Sequence, residues 1–175
     1  ALATNTTLKE LVIEQPSKTT DTQITTIPIQ ELNGQKGNEF VDLSQAGQKL
    51  ADGTFQPCHR HACGVVGAIL GASKNTSIRR LKMDPGGGAD GGMIVDHLNR
   101  ARKSSLAVLD VTGIGLSDRG GAKFFETLIE GKLDFVHSFH IGRNELTDLA
   151  VGRLMVEALR SETCNIRTLD LNNND

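Results

Sequence analysis

A chain of 175 residues, 38% apolar and 23% charged, carries enough hydrophobic material for one sizeable folded unit and is too apolar for a disordered segment. Its net charge of -2 gives no electrostatic basis for binding nucleic acid or an anionic membrane, no long apolar run offers a membrane span, and the N-terminus lacks the basic and apolar regions of a secretion signal. Six Phe with no Tyr or Trp argue against an aromatic-anchored interface, and three Cys, an odd number, point to a reducing, cytoplasmic setting.

Taken in chain order, one apolar frame recurs. Leu8, Leu11 and Ile13 stand at relative positions 0, +3 and +5, and the same frame fits Asn38, Val41, Leu43; Ile78, Leu81, Met83; Leu106, Leu109, Val111; Val136, Phe139, Ile141; and Ile166, Leu169, Leu171. The starts at 8, 38, 78, 106, 136 and 166 are separated by 30, 40, 28, 30 and 30 residues. Between starts the period changes from two to that of a helix: Val65, Val66, Ile69 and Leu70; then Ile94, Val95 and Leu98; then Phe124, Phe125, Leu128 and Ile129; then Leu154, Met155, Ala158 and Leu159. Each unit therefore reads as a short strand, a loop and an amphipathic helix. Ser117 or Asp118 is expected to cap the Phe124 helix and Gly131 to end it, with Thr147 or Asp148 capping the next. Residues 1–37 form a degenerate, partly irregular first repeat in which Ile27, Pro28 and Leu32 belong to a short helix. Residues 38–77 form a second repeat with an insertion at about 52–63, and 78–175 regular repeats ending in a strand without its helix.

One such unit cannot bury both its strand and its helix from water, whereas stacked units share a continuous core. The expected fold is α/β: a right-handed strand-helix solenoid of about five and a half repeats, bent into a horseshoe with its parallel sheet on the concave face. The stretches SSLAVLDVTGIGLSDRGGAKFFETLIEG (104–131), HIGRNELTDLAVGRLMVEAL (140–159) and NIRTLDLNNND (165–175) carry the motif LxxLxLxxN. It resembles the ribonuclease-inhibitor-like class of leucine-rich repeats, found in NOD-like receptors, tropomodulins and Ran GTPase-activating proteins. The resemblance implies that Asn144 and Asn174 are structural ladder asparagines, with the asparagine missing at Pro16, Ala46, Gly86 and Ile114. It also implies a non-catalytic interaction scaffold that binds a protein on its concave face, or a regulator of an enzyme partner such as a GTPase-activating or cytoskeleton-capping protein, for which Arg119 and Arg143 are the loop arginines.

The side chains expected to contact a partner are Glu10, Glu39, Asp42, Arg79, Arg80, Lys82, Asp110, His137, His140, Arg167 and Asp170, a mixture of charges that suits a partner of mixed charge. Within the insertion, Cys58, His61 and Cys63 are of the right chemistry for zinc, but their spacing matches neither CxxC nor a zinc-finger pair; a loop entering a helix fits better, and no cofactor is expected. The glycine-rich run from Asp84 to Gly92 lacks the Gly-Lys-Ser/Thr of a phosphate loop. Asp110, His137, Ser138 and His140 do not make an enzyme on an open sheet, which has no dry pocket in which to tune a base. The final strand without a helix is expected to mark a fragment of a longer chain or a subunit of a larger assembly more than a self-contained cap.

Overall fold

The computed structural model describes residues 7–15, 23–47, 49–53, 61–72, 77–83, 105–147 and 151–175. In order these form β1 (Glu10–Gln15), β2 (Gln23–Pro28), α1 (Ile29–Leu32), β3 (Phe40–Asp42), α2 (His61–Ala72), β4 (Arg80–Lys82), β5 (Val108–Asp110), α3 (Ser117–Ile129), β6 (Ser138–His140), α4 (Arg153–Arg160) and β7 (Thr168–Asp170). The fold is α/β. Strands β3 to β7 make one five-stranded sheet in chain order, every neighbouring pair parallel.

Alternation along each three-residue strand turns the central side chain inward and its neighbours outward. The register aligns Val41, Leu81, Leu109, Phe139 and Leu169 in one inward row. The first four are at most 1% exposed. Below them Leu43, Met83, Val111 and Ile141 continue the core. Helix α3 closes it with Phe124, Phe125 and Leu128, spaced to share one helical face, and Phe124 stacks on Phe139 with ring centroids 3.5 Å apart. Burying a ring such as Phe139 contributes about 2–3 kcal/mol. In α2, Val66, Ile69 and Leu70 are buried as their helical spacing predicts, Val65 is half-buried against them, and Ala62 is buried one turn earlier.

Where the chain leaves β3, β5 and β7, Asp42, Asp110 and Asp170 accept the backbone N–H two residues on, from Ser44, Thr112 and Asn172 at 2.8, 3.1 and 3.0 Å. Beyond these turns the backbone needs other partners, and Asn144 supplies them. Only 1% exposed, its Oδ1 accepts Leu116 N–H at 3.0 Å, and its Nδ2 is placed to donate to Val111 O and Ile141 O, both at 2.9 Å, and to Gly142 O at 3.1 Å. Asn174 acts in the same way one unit later: Oδ1 accepts Asn144 N–H at 2.9 Å and Leu146 N–H at 3.3 Å, while Nδ2 is placed to donate to Ile141 O and Leu171 O. Each amide thus reaches back to the preceding unit. Ile114, which occupies the asparagine position of its own unit, is buried at 1% exposure, and the turn around it is bonded by the amide of the following unit, Asn144.

Two sequence expectations are corrected. The first unit contributes no strand to the parallel sheet; β1 pairs antiparallel with β2 in a hairpin of two six-residue strands. The reason lies in QITTIP, a β-branched stretch that gives Leu11 and Ile13 an immediate antiparallel partner. The hairpin and α1 then bury Ile27, Ile29 and Leu32, joined to the segment after β3 by Thr26 N–H to Ala46 O at 2.8 Å. Nor does Asp118 cap its own helix, the start of α3 having no side-chain cap. Asp118 accepts Thr147 N–H at 2.7 Å and the Thr147 hydroxyl at 3.0 Å, tying the start of α3 to the next unit. Asp148 and the helix expected around Ile94, Val95 and Leu98 lie outside the described residues, as do Pro16 and the whole glycine-rich run from Asp84 to Gly92, Gly86 included. Gly131 does end α3: at φ +67° it permits Gly131 N–H to bond Leu128 O and Lys132 N–H to bond Thr127 O.

Replacing Asn144 with Ala leaves a buried N–H and several carbonyls unpaired, so stability falls by about 2–4 kcal/mol, whereas Asn165→Ala, at an exposed amide, costs less than about 1 kcal/mol. Denaturant titration of the two variants checks the contrast. Gly142→Ala places a Cβ 2.7 Å from Asn172 O, forcing two backbones apart, and the same titration should show a loss of about 1–3 kcal/mol.

Candidate functional site: the outer face of the parallel sheet

The register that buries one row of side chains places two others on the opposite face. The first row is Phe40, Arg80, Val108, Ser138 and Thr168; the second is Asp42, Lys82, Asp110, His140 and Asp170. Of the residues expected to meet a partner, Asp42, Arg80, Lys82, Asp110, His140 and Asp170 lie in these rows. Glu39, Arg79, His137 and Arg167 precede the strands and are joined across them, with Arg79 N–H donating to Glu39 O and Arg167 N–H to His137 O. Glu10 is not among them, because its strand belongs to the hairpin.

The β3–β4 end carries most of the charge. Lys82 Nζ lies 3.4 Å from Asp42 Oδ2 and 3.4 Å from Ser44 Oγ, and Arg79 Nε lies 3.8 Å from Glu39 Oε1. Arg80 sits over the Phe40 ring, 4.9 Å from its centroid, leaving a 45% exposed aromatic under a cation. Partial burial by itself would raise the Asp42 carboxyl, but hydrogen bonds from Ser44 and the Lys82 ammonium outweigh it and hold Asp42 below the ordinary carboxylate value.

At the β6–β7 end, Ser138 Oγ is 3.0 Å from His140 Nε2, and His140 Nδ1 is 3.5 Å from Asp170 Oδ2. The strand amides beside this trio are committed to the ladder: Ser138 N–H donates to Ala107 O at 3.0 Å and Thr168 N–H to His137 O at 3.1 Å. His137 Nδ1 is buried without a hydrogen-bond partner among the described residues. Arg119 and Arg143 are both exposed, but Arg119 lies in the first turn of α3 and only Arg143 in a loop, the one that follows β6.

Cys58 lies outside the described residues, and His61 and Cys63 are placed only as backbone in the first turn of α2. Among the described residues no three His, Cys, Asp or Glu side chains converge as metal ligands, and no helix is long and apolar enough to cross a membrane. An open groove of about 500 Å³, lined by Ile129, Arg153, Val156, Glu157, Arg160 and Ser161, lies on the helical side of the molecule. Sequence reasoning found the outward positions but not the Phe40–Arg80 stack or the Ser138–His140–Asp170 chain; both require the cross-strand register, which no single unit contains.

Together the sheet and its two outward rows define an α/β protein with a parallel, chain-ordered sheet whose polar face is uncovered among the described residues. Comparison with protein-family models, with curated proteins and with solved structures finds no match.

Because the folded Asp42 value is depressed, its contribution to stability is present above the unfolded value, about pH 4, and is lost as pH falls through the folded value. Asp42→Asn should therefore melt below the native chain near neutral pH, and the difference should shrink on acidification, as read by thermal unfolding between about pH 7 and pH 3.

Proposed function

We propose that this chain is a leucine-rich-repeat solenoid of the ribonuclease-inhibitor-like class that works as a non-catalytic protein-binding scaffold, with the outer face of its parallel sheet as the concave binding surface. The observation that carries the reading is the in-register pair of polar rows across five strands that follow one another in chain order. Unit spacings of 28 to 40 residues and the backward-reaching amides of Asn144 and Asn174 support the repeat class. Helices are about twice as wide as the strand spacing, so stacking strand-helix units curves the sheet inward and gathers these side chains.

The arrangement of charge favours a protein surface of mixed sign. Glu39 and Asp42 lie beside Arg79 and Lys82, Arg80 and Phe40 offer a stacked cation and ring, and Asp110 and Asp170 flank His140. Arg is among the side chains that most often dominate binding energy at protein interfaces, and the ring beneath Arg80 holds its guanidinium in place. The trio of Ser138, His140 and Asp170 has the order of a nucleophile, a base and a carboxylate, yet its neighbouring amides are spent on the ladder and water reaches the face freely. That environment supports recognition over acyl transfer. Insertion residues 52–63 are a second contact region in this reading, and the odd cysteine count, with Cys164 free, supports a cytoplasmic setting.

Reversing Arg79, Arg80 and Lys82 to Glu tests the surface. Affinity for a partner captured by the native chain should fall at least about tenfold, with the far-ultraviolet circular dichroism spectrum unchanged. Equal affinity of the folded triple variant for every captured partner would remove the sheet face as the binding surface.

A further inference from the structure

Among the described residues, one edge of strand β1 is unpaired: the strand pairs with β2 along one side, and no strand lies along the other. The geometry of β2 shows which backbone groups face that edge. Thr26 N–H donates to Ala46 O at 2.8 Å, on the side of β2 away from β1. Its register partner is Val12. In an antiparallel ladder, paired residues either exchange both backbone bonds or turn both away, so Val12 N–H and C=O point to the free edge. Alternation directs the backbone groups of Glu10 and Glu14 the same way.

The side chains of these three residues are all exposed, Val12 at 51%, while the intervening Leu11 and Ile13 are half-buried against the core. Among the described residues neither Glu10 nor Glu14 has an ion-pair partner. The edge therefore offers three residues' worth of outward backbone groups and the side-chain pattern acid, apolar, acid.

We propose that the free edge of β1 is a docking site for an extended basic segment of a partner protein, which adds as an antiparallel strand with the pattern cation-x-apolar-x-cation. Its central apolar side chain lies opposite Val12 and its cations lie opposite Glu10 and Glu14. Directly opposed charges of unlike sign stabilise such a pair, and like charges destabilise it. The same rule disfavours a second copy of this chain: antiparallel self-pairing about Val12 sets Glu10 against Glu14 of the other copy twice, and parallel in-register pairing sets each glutamate beside its equivalent. The site is separate from the sheet face and does not rest on the reading of that face.

The test uses the full chain and two fluorescein-labelled peptides, TKTVTKT and TETVTET, titrated at low ionic strength and followed by fluorescence anisotropy. The basic peptide should bind at least about tenfold tighter than the acidic one, and the double variant Glu10→Lys/Glu14→Lys should invert that preference. Val12→Pro removes an N–H used only at the free edge, so the hairpin keeps its own ladder while the basic peptide loses at least about tenfold in affinity. Circular dichroism confirms that both variants remain folded. Failure of the basic peptide to bind, or an unchanged preference in the charge-reversed variant, overturns the proposal. So does full binding by Val12→Pro, which would mean attraction by charge without strand addition.

Discussion

At the end of each short strand the backbone turns out of the sheet ladder while still surrounded by apolar side chains, and its N–H and C=O groups must find partners there. An unpaired buried polar group costs a sizeable fraction of a small protein's net stability. The Asn144 carboxamide answers this demand for two units at once, bonding Leu116 N–H and Val111 O of the unit before it and Ile141 O and Gly142 O of its own. Asn174 repeats the arrangement toward Asn144, Leu146 and Ile141. Because each amide is shared between consecutive turns, the turns are held at one fixed offset. The strands they terminate then fall into register, Leu109 beside Phe139 beside Leu169.

Register links the core to the outer face. A slip of one residue would send Phe139 to water and His140 inward, so the bonds that keep Phe139 stacked on Phe124 also keep Asp110, His140 and Asp170 in one outward row. Close approach contributes as well: Gly142 lets the backbone of Asn172 pass, and Gly121 leaves room on α3 for Leu146 and Val151 of the next unit. At the other end of the sheet a different device operates. The β1–β2 hairpin and α1 bury Ile27, Ile29 and Leu32 with antiparallel pairing in place of a sixth parallel strand.

Much of this was legible in the sequence because a unit's apolar spacing depends on local geometry. The strand positions from Val41 to Leu169, the helical faces of α2 and α3 and the end of α3 at Gly131 could be read without neighbours, whereas the roles of Asn144 and Asn174 came from the resemblance of the repeat motif. The first unit was misread because Leu11 and Ile13 satisfy two geometries equally: the end of the repeat spacing and the simple alternation of a longer strand. Only the β-branched residues of Gln23–Pro28 distinguish them, by providing an adjacent partner. Asp118 was misassigned for a related reason. A carboxylate at the start of a helix has the chemistry of a cap, but whether it bonds its own backbone or Thr147 of the next unit is decided by packing between units. Pairings on the outer face, such as Arg80 over Phe40, are likewise cross-strand events between residues 40 positions apart in sequence.

The account rests on a buried side-chain amide holding consecutive turns together, and residue-resolved amide hydrogen exchange tests this most directly. Leu116 N–H lies outside every strand and the first turn of its helix has no side-chain cap, so its protection must come from Asn144. The expected result is exchange of Leu116 as slow as that of the central strand residues Leu109 and Phe139. Exchange of Leu116 at the rate of an open loop, with Leu109 and Phe139 still protected, would contradict it.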